Sequence, residues 1–212
     1  MIHCIGDSHS AVFSGEEIMQ PEWPVLASNK LPFFNSYRLG PATAYQLENK
    51  KHLIDEIIKQ HVKEDDSLLF CFGEVDIRAH LMKQIEIQNR TLEDIVKECV
   101  DRYFEVIMTY KNNGINCMVW GPIASWHESK NYHGPSFGSC IERNQITKEF
   151  NRYVEELCNQ NNLKFITIFY DMIYDNLETN ACYLDDWEGS HIHLSQSAMP
   201  IILERFKDKY LI

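Results

Sequence analysis

The chain opens Met1-Ile2-His3-Cys4-Ile5-Gly6-Asp7-Ser8-His9-Ser10. A short, largely apolar run stops at a glycine and gives way to Asp-Ser-His-Ser. Such a run reads as a buried strand, and Asp and Ser directly after it are turn formers and helix N-caps. A serine placed there, between a strand end and the start of a helix, has its hydroxyl exposed above the sheet. Backbone N–H groups at the same spot face any negative charge that develops nearby. The same residues also serve as an ordinary turn with Asp7 and Ser8 as caps, and the pentapeptide alone leaves both readings open.

Four more apolar runs follow, at 33–39 (weaker), 67–72, 115–120 and 163–169. The three later ones are nearly continuous in apolar residues, as expected of parallel strands covered on both faces. Between and after them lie helical patterns. In 91–112, Leu92, Ile95, Val96, Cys99, Tyr103, Val106 and Ile107 recur at steps of three and four; Thr91 with Asp94 gives a capping start and Gly114 follows the end. The stretch 142–161 repeats the pattern with Ile146, Phe150, Tyr153, Val154, Leu157 and Cys158. A last helix is predicted over 195–209, with Pro200 later than its preferred place in the first turn. Strands alternating with helices imply right-handed crossovers and a three-layer α/β/α sandwich. Ligands of such sheets bind outside the carboxyl ends of the strands, at the topological switch point.

Composition narrows the function. The 212 residues suffice for one domain spanning 1–212, with a core large enough to need no metal or disulfide staples. With 20 Lys+Arg against 31 Asp+Glu, the net charge of −11 lacks the basic footprint that nucleic acid demands. No run is long enough to span a membrane. The 7 cysteines are scattered, without a CxxC pair, and most sit in apolar runs such as Leu69-Phe70-Cys71-Phe72. Free buried thiols suit a reducing compartment, and the N-terminus has no signal-peptide pattern, so the expected location is the cytoplasm. A long irregular stretch at 121–139, with Trp126, His127 and His133, reads as a lid-like loop.

Four blocks in order resemble the SGNH/GDSL hydrolase family. Gly6-Asp7-Ser8-His9-Ser10 is similar to its first block, with the nucleophilic serine after Gly-Asp. Leu39-Gly40-Pro41-Ala42 resembles the second, whose glycine N–H is an oxyanion donor. Phe72-Gly73-Glu74-Val75-Asp76-Ile77-Arg78 resembles the third, and His193-Leu194-Ser195 the last, which carries the catalytic histidine. The resemblance covers nearly the whole chain. It implies a parallel, flavodoxin-like five-stranded sheet and a serine hydrolase needing no cofactor and no metal, with Ser8 as nucleophile and His193 as base. Chemistry agrees, since a serine hydroxyl at neutral pH needs a base within hydrogen-bond reach and histidine is suited to it.

Two positions depart from the family pattern. Val75 stands where the family has an asparagine donor, and valine donates nothing; Arg78 at the same rim is the expected substitute, its other reading being a surface arginine or an ion pair with Glu74 or Asp76. Ser190 stands three residues before His193, where the family has the orienting Asp, leaving Asp185 or Asp186 to reach the ring, or a dyad without the acid. The catalytic set is therefore Ser8, His193, Asp186 and Asp7, and the substrate-binding set Gly40, Arg78, Asp76 and Glu74. Glu74, Asp76 and Arg78 are read as alternating along an extended segment, which puts all three on one face. His191 and His193 also form an H-x-H pair, which read as a metal site draws further ligands from His9, His80, His127 or His133 and a carboxylate from Asp76 or Asp186; the spacing fits no metal signature, and His191 is the second choice of base. Trp120, Trp126, Tyr132 and Trp187 near the cleft suit either sugar stacking or local core. The expected substrate is an O-acyl, chiefly O-acetyl, ester of a carbohydrate or small polar molecule. The alternatives are an O-acyltransferase of polysaccharide biosynthesis and a non-catalytic carbohydrate-binding relative, which fold resemblance does not separate.

Overall fold

The computed structural model describes residues 1–126, 135–184 and 192–209. Its centre is an all-parallel sheet of β1 (Ile2–Gly6), β2 (Phe34–Arg38), β3 (Ser67–Cys71), β4 (Asn116–Trp120) and β5 (Lys164–Ile166). The spatial order is β2-β1-β3-β4-β5. Gly6, the last residue of β1, is level with Arg38 on one side and Cys71 on the other. The chain leaves β1 for one neighbour and returns to the other, so the switch point opens directly above Gly6.

Period-two alternation sends strand side chains into two cores. Ile5, Phe70 and Val119 face one layer, built from α1 (Lys51–His61), α4 (Leu92–Asn112) and α5 (Cys140–Gln160). Cys4, Leu69, Cys71, Met118 and Trp120 face the other, where a 3₁₀ turn at Ser8–Ser14 and α6 (Met199–Asp208) supply Val12, Phe13, Ile202 and Phe206. With both faces covered, the strands read as apolar runs rather than alternating ones.

Local chemistry sets the element ends. Thr91 caps α4 by accepting from the Asp94 N–H. Ser139 and Glu142 close a reciprocal capping box that starts α5 at Cys140, two residues before the start predicted at 142. The final helix begins later than expected: Ser195 caps a 3₁₀ turn at Gln196–Ala198, and α6 proper starts at Met199. Pro200 thus falls in the first turn, where its missing N–H has no partner to lose. β5 is shorter than predicted because the chain turns into a 3₁₀ segment at Phe169–Asp171.

The segment after β3 corrects the extended reading of Glu74, Asp76 and Arg78. Gly73 has φ +118°, and a Cβ there would lie 2.6 Å from Pro122 Cγ, so only glycine makes this abrupt turn. Beyond it the chain is helical: α2 (Glu74–Asp76), a π turn at Ile77–Leu81 and α3 (Met82–Gln88) run on without a break. Helical spacing puts Glu74 and Arg78 together at i,i+4, and Asp76 on a different side.

Candidate active site

At the switch point Asp7 caps the 3₁₀ turn, one carboxylate oxygen accepting from the His9 N–H at 2.8 Å. The cap holds the backbone of Ser8 at the rim. Ser8 Oγ lies 2.8 Å from His193 Nε2, although 185 positions separate the two residues. His193 sits beside Leu194, which bridges antiparallel to Leu184, while the Ser195 N–H donates to the Tyr183 carbonyl at 2.9 Å. That clamp and α6 fix the histidine over the end of β1. With Nε2 accepting from the serine, the ring proton belongs on Nδ1.

The loop after β2 comes alongside, its Leu39 N–H donating to the Gly6 carbonyl at 2.8 Å. Gly40 has φ +80°, a conformation that an L side chain rarely adopts. Ser8, Gly40, Val75, Arg78 and His80 line one cavity of about 410 Å³. Gly40→Ala is expected to lower stability by about 1 kcal/mol from the left-handed backbone. It should also reduce ester turnover by shifting the N–H at position 40, as steady-state kinetics on 4-nitrophenyl acetate will show; unchanged turnover would remove this loop from the reaction.

Behind Ser8 lies a buried charge network. Glu74 Oε1 accepts from Arg78 Nε at 2.7 Å, and its Oε2 lies 2.9 Å from His9 Nε2. With the His9 ring protonated this contact is an ion pair. Burial alone would raise the Glu74 carboxyl, but Arg78 and His9 hold it well below the usual carboxylate range. Burial alone would lower His9, yet Glu74 and Asp7 outweigh it and shift the ring upward. The His9 ring packs against His193, with centroids 4.7 Å apart. Arg78 also donates from Nη1 to the Pro135 carbonyl at 2.9 Å, tying the chain there to the cleft; residues 127–134 of the expected lid-like loop lie outside the described residues.

Asp76 turns away from that network. Its carboxylate accepts from the backbone N–H groups of Ala44 (2.7 Å) and Tyr45 (3.1 Å), and the Cys99 thiol lies 3.5 Å away. It anchors the loop that carries Gly40. Burial pushes Asp76 up to about 6 against these donors, and burial likewise pushes Asp7 up to about 6 against His9. Asp76→Asn would turn an amide NH₂ towards a backbone N–H, and a loss of about 1–3 kcal/mol is expected. A urea midpoint equal to that of the parent protein would show that the loop does not depend on this carboxylate.

The structure therefore brings Ser8, His193, Gly40, Arg78 and Asp7 to one place, with Glu74 behind Arg78 and Asp76 beneath the Gly40 loop. Asp185, Asp186 and His191 lie outside the described residues, as do His127, Tyr132, His133 and Trp187. Trp120 is core, edge-on to Phe13 at 5.2 Å. Among the described residues no cluster of three or more His, Cys, Asp or Glu is placed to hold a metal. His9, offered by the sequence only as a metal ligand, instead packs against the Ser8–His193 pair; its position directly after Ser8 is the signal that could have found it.

No protein-family model matches the chain, and no curated protein sequence matches it. Solved structures do. A GDSL-like lipase from Bacteroides thetaiotaomicron superposes with a TM-score of 0.56 at 11% identity, over 98% of this chain and 86% of that one. A carbohydrate acetylesterase from Sinorhizobium meliloti gives 0.55 at 15% identity, over 100% and 99%. The chain has the SGNH/GDSL hydrolase fold. An acetyl xylan esterase shares it, with a TM-score of 0.51 at 12% identity over 99% of both chains. In this SGNH/GDSL fold Ser8 follows β1, Gly40 follows β2 and the Gly73–Arg78 segment follows β3, so three of the four blocks sit at the carboxyl ends of neighbouring strands.

Proposed function

We propose that residues 1–212 form one SGNH-type domain acting as a serine esterase on an O-acyl group, specifically an O-acetyl ester of a carbohydrate. The observation that carries this reading is the 2.8 Å approach of Ser8 Oγ to His193 Nε2 beside an open cavity. Ser8 Oγ attacks the ester carbonyl carbon while His193 Nε2 takes its proton. The N–H groups of Ser8 and Gly40 receive the negative charge on the carbonyl oxygen. His193 then passes the proton to the departing alkoxide, leaving acyl-Ser8. Water attacks the acyl carbon, His193 takes the water's proton and returns it to Ser8 Oγ, and free acid leaves. Asp186 is the acid assigned to His193 Nδ1, and Asp186→Ala tests that role through kcat.

Val75 faces the cavity at the place of the family's asparagine donor. Arg78 lines the same wall and adds positive potential, but its Nε and Nη1 are engaged with Glu74 and Pro135. Val75→Asn is therefore expected to raise kcat on 4-nitrophenyl acetate, by up to about tenfold, through an added oxyanion donor. A fall in kcat without loss of stability would mean that an apolar wall is needed there. The reading as a whole is tested with a fluorophosphonate probe and location of the adduct by mass spectrometry. An adduct on Ser8 is expected; none from mildly acidic to alkaline pH would favour a binding protein. Acyl transfer to added sugar in place of acid release would make the same chemistry a transferase.

A further inference from the structure

Next to the Ser8 cavity is a second one of about 230 Å³. Thr43, Tyr45 and Gln46 line it from the loop before α1, His80 and Gln84 from the helix after β3, and Glu98 from α4. His80 lines both cavities, so the two adjoin at this residue. It belongs to the π turn at Ile77–Leu81, and such turns inside helices recur at functional sites.

The lining selects its ligand by elimination. Both carboxylates are already satisfied: Asp76 by the Ala44 and Tyr45 N–H groups, and Glu98 by the Tyr45 hydroxyl and Arg90. Neither calls for a cation, and together they repel an anion. Gln84 spends its oxygen on Gln88 Nε2 at 2.8 Å and keeps a free NH₂. The Gln46 amide and the His80 ring make no hydrogen bond among the described residues. Gln46 and His80 are exposed and Gln84 half-buried, so an acyl chain laid over them would displace their water without replacing its hydrogen bonds, whereas hydroxyls that both donate and accept would replace them. Leu81 and Ile95 give the cavity an apolar floor. The volume falls below the roughly 300–1,000 Å³ of pockets for drug-sized ligands and suits one compact ring.

We propose that this cavity is a subsite for a neutral sugar ring, the unit adjoining the one whose ester reaches Ser8. The proposal rests on the esterase reading of Ser8 and gives its substrate a minimum length of two sugar units.

Two measurements on the whole chain test it. In the first, ¹⁵N spectra follow the side-chain amides of Gln46 and Gln84 as a panel of neutral disaccharides is added. Saturable shifts of both amides are expected in wild type and in Ser8→Ala alike, and lost in Gln84→Leu. Absence of shifts with every member of the panel overturns the subsite, whatever Ser8 does. In the second, wild type, Gln84→Leu and Gln46→Leu are compared on 4-nitrophenyl acetate and on mono-O-acetylated disaccharides. The variants should keep their 4-nitrophenyl acetate turnover and lose about tenfold in kcat/KM on the disaccharide esters, through KM. Equal losses on both substrates, or none on either, would overturn the subsite. Absence of turnover on every ester together with saturable amide shifts would instead overturn the esterase reading and leave a sugar-binding cleft.

Discussion

Ser8→Ala and His193→Ala should each lower kcat on an activated acetate ester by about 10⁴- to 10⁶-fold, and the double variant should be little worse than either. Nucleophile and base act as one unit, so removing one leaves the other without a task. Ser8 is partly exposed and its hydroxyl has His193 as its partner at 2.8 Å, so Ser8→Ala should fold normally. That separates chemistry from stability. His193 is buried against His9, so its variant needs a thermal melt alongside the kinetics. Additive losses in the double variant would show that the two side chains do not share a proton. Turnover that survives Ser8→Ala would assign hydrolysis to another group.

Glu74→Ala should be the most damaging single change to the fold outside the apolar core. It would leave the Arg78 guanidinium and the His9 ring buried beside the cleft without their shared counter-charge. Breaking a buried pair in this way costs about 3–5 kcal/mol, which for a chain of this size lowers Tm by about 10 °C. His9 would then be free to shift against His193, so kcat should fall even below the new melting temperature. Glu74→Gln should recover part of the loss through hydrogen bonding to Arg78. A melt unchanged in Glu74→Ala would show that solvent reaches the network and screens it.

Acid should act on these groups in opposite directions. Glu74 is depressed in the folded chain, so its stabilising effect is full above the ordinary carboxylate pKa and is lost as pH falls below it. Asp7 and Asp76 are raised to about 6, so between about pH 6 and pH 4 the folded chain takes up protons that the unfolded chain does not. Those two groups favour folding more as pH falls through that window. Urea midpoints in Asp76→Asn should therefore lose part of this gain relative to the parent protein.

Much of the architecture was legible because it rests on local pattern. The apolar runs marked the strands, Thr91 and Gly114 bracketed α4, and the Gly-Asp-Ser stretch placed a hydroxyl at a strand end. What was not legible depended on φ angles and on contacts between elements. Nothing local said that Gly73 would turn the chain into a helix, so Glu74 and Arg78 were read as strand neighbours rather than as an i,i+4 pair. Asp76 looked like a ligand group because two backbone N–H groups 31 and 32 positions away carry no sequence signal. α1 was missed entirely, its apolar face being confined to a few residues such as Ile54 and Ile57.

The hydrogen bond between Ser8 and His193 joins residues 185 positions apart. Closing so long a loop comes late, because its entropy must be offset by contacts already made. The base follows the nucleophile by 185 residues, so a chain cut anywhere between them lacks one of the two. If the C-terminal layer of Leu194 and α6 detaches first on unfolding, the base leaves Ser8 before the sheet melts. Loss of turnover should then precede loss of the far-ultraviolet signal, making this bond an early reporter of the C-terminal layer letting go.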